Sequence, residues 1–310
     1  MNPKSMKVAV LYGGNSSERQ ISLKSGHAVW SALKPLVQEC VLIDAKEEFM
    51  PILQKEKPDF VFIALHGKFG EDGDVQELLE SEGYVYSGPS IQGCRNAMNK
   101  AQTRRLFEVH GLKNPKWELL SSMDQSIHLQ YPFFVKPANG GSSIGVSKVE
   151  NSLQLRDALL QAFREDQEVI VEEAMIGREM AIGVVGDQVF DPIEIIPERD
   201  FYDYEAKYFD QRTQYVFPED LVTEEKQIIQ YNAQRAFRAL GLDSFARLDF
   251  IYTTDGEVCF LEGNAIPGMT EKSLLPKMAA RYGWDFGTLC LKIIEESLKV
   301  RHLVREPKGS

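Results

Sequence analysis

Three short apolar runs open the chain, Val8–Tyr12, Cys40–Ile43 and Phe60–Leu65, and stretches of helical spacing such as Ser17–Leu33 lie between them. Unbroken apolar runs mark strands covered on both faces, and their alternation with helices predicts a parallel sheet in an α/β unit. Ser17-x-x-Gln20 reads as a capping box, which aims the positive end of the first helix at the Gly13-Gly14 turn, where a ligand group could dock. One helix is predicted over Gly93–His110, ending near Gly111. The pattern then becomes α+β: strand Phe133–Lys136, a Gly/Ser loop, strand Gly145–Val149, helix Leu153–Phe163 and strand Val169–Val171. Met180–Ile196 reads as a hairpin turning at Gly186-Asp187. Pro197–Asp220 has little periodicity but carries Tyr202, Tyr204, Tyr208 and Tyr215, which argues against disorder and for a lid that orders over a ligand. A helix over Thr223–Leu240, closed by Gly241, a last hairpin and a helix near Trp284–Val300 complete the chain.

Composition adds limits. The 310 residues, 43% hydrophobic and 26% charged, are those of a soluble globular protein of two or three domains. With 35 Lys plus Arg against 46 Asp plus Glu, the net charge of −11 disfavours nucleic acid and anionic membranes as partners, so a phosphate ligand needs local cations. Cys40, Cys94, Cys259 and Cys290 are widely spaced, which fits neither a disulfide framework nor a zinc site. No run approaches the ~20 apolar residues of a membrane span, and none suits a signal peptide, so a reducing cytoplasm is expected.

The last hairpin carries the clearest chemistry. Asp255-Gly256 between the runs Phe245–Tyr252 and Val258–Asn264 signals a two-residue type I′ turn. That turn, or a symmetric four-residue loop, sets Asp249 opposite Glu262 and Arg247 opposite Asn264, all on one face; a three-residue loop would break the pairing. Two opposed carboxylates repel, so something positive belongs between them. Oxygen ligands from Asp249, Glu262 and Asn264 suit Mg²⁺ completed by water and phosphates. A solvated face on which Arg247 neutralises one acid accounts for the same residues.

Two loops could hold the rest of a ligand. Lys136 to Gly145 offers glycine flexibility, Ser142, Ser143 and backbone N–H groups, as an anion-holding loop does, although a plain turn has the same composition. Lys136 and Lys100 could supply positive charge there. It matches neither the P-loop nor the G-x-G-x-x-G pattern. His66, after the third strand, stands where open α/β sheets bind ligands, and its simpler reading is a loop histidine bonded to backbone.

Set side by side, the segments Gly13-Gly14-Asn-Ser-Ser-Glu18-Arg19, His66-Gly-x-x-Gly-Glu-Asp-Gly73, Met98-x-Lys100, Lys136-Pro-x-x-x-Gly-Ser-Ser-x-Gly145, Tyr202-Asp-Tyr-x-x-Lys-Tyr208, Arg247-x-Asp249 and Glu262-x-Asn-x-x-Pro-Gly-Met-Thr270 closely resemble, in order, the D-alanine-D-alanine ligases of the ATP-grasp superfamily. The resemblance implies a three-domain fold: a Rossmann-like N-terminal unit over 1–98, then α+β units over 99–178 and 179–310 that grip ATP, with a lid over 197–220. It implies ATP-dependent ligation of two D-alanines through a D-alanyl phosphate, for peptidoglycan precursors, by a cytoplasmic homodimer. By the same analogy Asp249, Glu262 and Asn264 hold two Mg²⁺ or Mn²⁺. Lys100, Lys136, Lys207, Ser142 and Ser143 surround the phosphates, while Glu172, Glu173 and Met175 form the adenine hinge and Glu179 binds the ribose. Arg247 and the Gly268 N–H stabilise an oxyanion. Glu18 binds the first ammonium and links to Ser142 and Tyr208, His66 orients the first D-alanine, and Ser273 with Lys207 holds the second carboxylate. Tyr208 goes with an amine nucleophile; D-serine or a D-hydroxy acid as second substrate is the alternative within this fold. The sequence departs from the family pattern at Ala265, where a threonine usually follows the asparagine, and at Glu173, where relatives can carry lysine. A nucleotide-binding protein without chemistry would have lost Glu18, Arg247, Asp249 or Glu262, and an oxidoreductase would carry G-x-G-x-x-G.

Overall fold

The computed structural model describes residues 2–46, 48–141, 144–197 and 212–305, the side chains of 302–305 excepted. Ser142, Ser143, Lys207 and Tyr208 lie outside the described residues, as does most of the expected lid.

The N-terminal apolar runs pair as predicted, β1 (Lys7–Tyr12) lying between β2 (Glu39–Asp44) and β3 (Phe60–Ile63) in a parallel sheet. Strand alternation splits its core in two. Val8 and Val10 face one side, with Val29 and Leu33 of α1 (Arg19–Leu33), while Ala9 and Leu11 face the other, with Leu53 of α2 (Met50–Glu56) and Val75 and Leu79 of α3 (Asp74–Ser81). The helix predicted from Ser17 starts at Arg19, and the expected capping box does not form: Glu18 is the N-cap, without a side-chain cap bond. The Ser16 hydroxyl instead accepts from Glu18 N–H and donates to the His66 carbonyl, tying the helix start to the loop after β3. In the Gly13-Gly14 turn, both residues in the left-handed region, the Arg19–Asp44 ion pair lies against Gly13, and the two N–H groups are taken by Ser22 Oγ and Asp44 Oδ1 rather than left for a ligand group.

The helix expected over Gly93–His110 is two, α4 (Ile91–Met98) and α5 (Lys100–Val109). Asn99, in extended conformation, ends the first, and its side chain accepts from Gln102 N–H to cap the second. The break puts Lys100 at the start of a helix facing the loop after β5 (Phe133–Pro137), where its N–H donates to the Ala138 carbonyl.

A four-stranded antiparallel sheet follows, in the order β4 (Trp117–Leu120), β7 (Val169–Glu173), β5, β6 (Ser147–Val149), with α6 (Ser152–Glu165) across it and a hydrophobic core of its own. The last sheet runs β11 (Gln214–Val216), β10 (Ile193–Ile196), β8 (Gly177–Val185), β12 (Phe245–Thr253), β13 (Val258–Asn264), with β9 (Gln188–Val189) hairpinned onto β8. Within the segment predicted to be aperiodic, Gln214–Val216 is therefore a strand, paired with β10. This sheet, α7 (Thr223–Ala239), α8 (Leu274–Tyr282) and α9 (Phe286–Arg305) share a continuous core with one face of the N-terminal sheet. The first and last units thus form one body, and the central sheet packs separately.

Their joint is tight at Gly93, where a Cβ would stand 2.3 Å from the Gly241 carbonyl oxygen, a backbone atom with no room to give. Gly93→Ala is expected to cost ~1–3 kcal/mol by overpacking, read as a lower urea midpoint with unchanged slope.

Candidate active site

The β12–β13 hairpin sets Asp249 opposite Glu262 and Arg247 opposite Asn264, the pairing read from the sequence, but by a different route. The expected two-residue turn is absent: Thr253 N–H donates to the Glu257 carbonyl, leaving the three-residue loop Thr254-Asp255-Gly256 with Gly256 at φ 80°. Such a loop alone would slip the register by one residue. A bulge between Asp249 and Phe250 restores it, because Phe250 pairs with Phe260 and Leu261 is the extra residue. Arg247 grips Asp249 with two bonds, Nε to Oδ1 at 2.7 Å and Nη2 to Oδ2 at 2.8 Å, and Asn264 Nδ2 donates to Oδ2 at 3.1 Å. The arginine thus neutralises one acid, as the simpler reading has it. The face is nevertheless not a solvated one, for Asp249 is buried and the group lines two cavities.

The first cavity, about 490 Å³, is lined by Glu18, His66, Arg247, Gly268 and Ser273, which brings together the residues predicted to hold amino acids. Glu18, buried at the N-cap of α1, faces the loop after β5: its Oε1 would be 3.5 Å from a Cβ on Gly141. His66 is not bonded to backbone through its ring, as the simpler reading supposed, but lies between Ser25 and Glu71. Ser25 Oγ accepts from Met269 N–H at 3.2 Å, so its proton is available to His66 Nε2, 2.9 Å away, and Nδ1–H donates to Glu71 at 3.1 Å. Burial pushes the Glu71 carboxyl up, against the His66 bond and with the help of the Glu18 charge. Ser273 bonds Thr270 through both its hydroxyl and its N–H, which folds the 268–273 loop beneath Gly268.

The second cavity, about 410 Å³, is lined by Lys136, Glu172, Glu173, Met175, Glu179 and Asp249. Glu172 is 1% exposed and held by Lys136 and by Arg104, whose Nη2 lies 2.6 Å from Oε2. Burial opposes its ionisation, yet the two cations outweigh it and hold the carboxyl down at about 2. A depressed carboxyl stabilises the fold above its unfolded value, about 4.3, and loses that contribution as the pH falls towards 2. Glu172→Gln is expected to flatten that limb of the stability profile, measured by urea unfolding from about pH 6 to about pH 3. Glu173 gives its N–H to the Lys116 carbonyl, so that N–H is spent within the protein.

The two cavities share a wall made of Lys100, Gly140, Gly141 and Glu262, and Lys100 Nζ donates to the Gly140 carbonyl across it at 2.5 Å. Among the described residues no group of three His, Cys, Asp or Glu side chains is placed to hold a metal. The oxygen set here is two carboxylates and an amide, which suits a hard cation whose remaining ligands come from phosphates and water.

Residues 106–295 match the family described as D-ala D-ala ligase C-terminus. The chain is 40% identical over 306 residues to the D-alanine–D-alanine ligase of Ectopseudomonas mendocina, spanning 97% of this chain and 98% of that one. The chain belongs to the D-alanine–D-alanine ligase family. Among solved structures it is similar to the D-alanine–D-alanine ligase of Bacillus anthracis complexed with ATP (TM-score 0.84, 32% identity, 97% of this chain and 100% of that one). It is also similar to the VanG D-Ala:D-Ser ligase of Enterococcus faecalis (TM-score 0.82, 30% identity, 94% and 99%). The ATP-grasp fold expected from the sequence, a parallel N-terminal sheet followed by two α+β units, is the fold of this family member.

Several residues in and behind the two cavities carry no site role in the sequence reading. Glu71 stands inside a quoted motif; Ser25, which shares His66 with it, lies seven residues, about two helix turns, past Glu18 and so on the same face of α1. Tyr215 lines the first cavity from β11, a strand too short to show a period. Arg104 shares its helix with Lys100, Arg105 and Glu108, and nothing in the local pattern sets it apart. Ala265, where the family pattern has threonine, is buried beside Ile266 and leaves the Asn264 placement intact. Among the described residues no helix is long and apolar enough to cross a membrane.

Proposed function

We infer that the protein joins two D-alanine molecules into D-alanyl-D-alanine while ATP is converted to ADP and phosphate, the step that supplies a peptidoglycan precursor. The observation that carries the reading is the shared wall. A phosphoryl group bound on the Asp249 side meets an amino acid held beside Glu18 and Arg247 only where Lys100 and Glu262 face both cavities.

In this reading residues 1–98, 99–178 and 179–310 act as the substrate, nucleotide and metal-bearing units. Lys136 and Lys100, with Lys207, Ser142 and Ser143, lie along the triphosphate. The Glu172–Met175 hinge takes the base and Glu179 the ribose. Asp249, Glu262 and Asn264 hold two divalent cations, Mg²⁺ or Mn²⁺, which when bound neutralise charge on the transferring phosphoryl group.

The carboxylate of the first D-alanine, its ammonium held by Glu18 and its orientation fixed by His66, attacks the γ-phosphorus, and ADP leaves. The amine of the second D-alanine, having lost a proton, adds to the carbonyl carbon of the D-alanyl phosphate. Phosphate is expelled from the tetrahedral adduct, and the nitrogen loses its last extra proton to give the neutral amide. Arg247 and the Gly268 N–H face the developing oxyanion, a preorganised arrangement of the kind that lowers such barriers. Ser273 and Lys207 take the second carboxylate, and Tyr208, linked to Glu18 through Ser142, closes the lid so that water does not reach the acyl phosphate.

The protein is read as a cytoplasmic homodimer, which sedimentation at micromolar concentration checks. The deciding assay is phosphate release from ATP with D-alanine against L-alanine, followed by mass analysis of products formed with D-alanine, D-serine and D-lactate. Release with D-alanine and a D-alanyl-D-alanine product is expected; a predominant D-alanyl-D-serine product would transfer the reading to the D-serine ligases.

A further inference from the structure

Arg104 of α5 is 1% exposed, and its guanidinium joins two strands from different sheets. On one side Nη2 donates to Glu172 of β7 at 2.6 Å; on the other Nη1 donates to the carbonyls of Leu261 and Phe260 on β13. Leu261 is the bulged residue, so its carbonyl is not tied by the ordinary ladder to β12, and the next residue is Glu262. Burying a guanidinium is costly, and half of this one is spent on carbonyls rather than on a second acid. That use fits the fixing of a backbone position, for which the planar fork of arginine is suited and the point charge of lysine is not.

We propose that Arg104 is a positioning residue for phosphoryl transfer, locking the Leu261 bulge, and with it the direction of Glu262, to the hinge carboxylate Glu172 at the other end of the nucleotide cavity. The proposal rests on the reading above, in which Glu262 is a metal ligand and Glu172 faces the base. Its consequence is that the base end and the metal end of the nucleotide are set in register by one side chain. Residues that orient a metal ligand typically carry 10–100-fold of metal affinity.

The test is equilibrium binding of ADP, by calorimetry, with MgCl₂ and with EDTA, alongside thermal unfolding. The factor by which Mg²⁺ tightens ADP is expected to fall about 10-fold or more in Arg104→Lys, while ADP affinity in EDTA stays within about 3-fold of wild type. Glu262→Gln, as the control, should abolish the Mg²⁺ effect. Glu172→Gln, which loosens the far end of the bridge and also frees Lys136, should lower it as well; read as the ratio of ADP affinity in MgCl₂ to that in EDTA, so that a change through Lys136 enters both, it carries the test if Arg104→Lys does not fold. An unchanged Mg²⁺ effect in Arg104→Lys or, where that variant does not fold, in Glu172→Gln, with the effect lost in Glu262→Gln, overturns the proposal alone. An unchanged effect in Glu262→Gln overturns the metal assignment and the proposal with it.

Discussion

Glu262→Gln is expected to lower kcat by at least about 10²-fold with ATP, D-alanine and Mg²⁺ all saturating, because each preorganised charge at a developing centre contributes on that scale. The side chain stands on the wall between the two cavities, directly across the strand pair from Asp249. Glutamine keeps the shape and one oxygen but removes the charge a hard cation requires. Steady-state phosphate release against MgCl₂ concentration reads the effect as a lower plateau and a higher half-saturation. A variant with the wild-type plateau would refute the role given to this residue.

Arg247→Ala is expected to act on both stability and turnover. Its two bonds to Asp249 join one from the opposing Asn264 in holding that buried carboxylate, and stripping the guanidinium away leaves a desolvated acid, at a cost of ~1–3 kcal/mol. In the proposed reaction the same guanidinium is assigned to the oxyanion, so kcat should drop ~10²–10³-fold beyond what partial unfolding explains. Urea unfolding and single-turnover product formation below the transition separate the two losses. Arg247→Lys should recover part of the stability and little of the rate, since an ammonium cannot reproduce the two-pronged bond. Full recovery of rate by lysine would show that charge alone suffices there.

Much of this was legible in the sequence because it depends on short periods. The parallel strands were visible as apolar runs, and the facing of Asp249 and Glu262 followed from strand alternation. The route to that pairing was not legible: Asp255-Gly256 is equally at home in a two- and a three-residue loop, and the bulge that compensates depends on Arg104, a residue 157 positions before Leu261. The break at Asn99 was hidden for a similar reason. Asparagine is tolerated within helices, and here its choice of cap over helix is settled by Asn139, whose side chain bonds it across space. The buried chain of Glu71, His66, Ser25 and the Met269 amide joins segments more than two hundred residues apart, and local pattern carries no trace of it. Local periodicity reports which face of an element is covered; it is silent on which distant segment does the covering.

The partition at Lys100 and Glu262 also bears on inhibitor design. A compound with an adenosine diphosphate portion on one side, an alanine-like portion on the other and a single tetrahedral phosphorus passing between them would occupy both chambers at once. Each half would present the other at an effective concentration in the millimolar range or above, so two weak fragments would combine into one slow-leaving ligand.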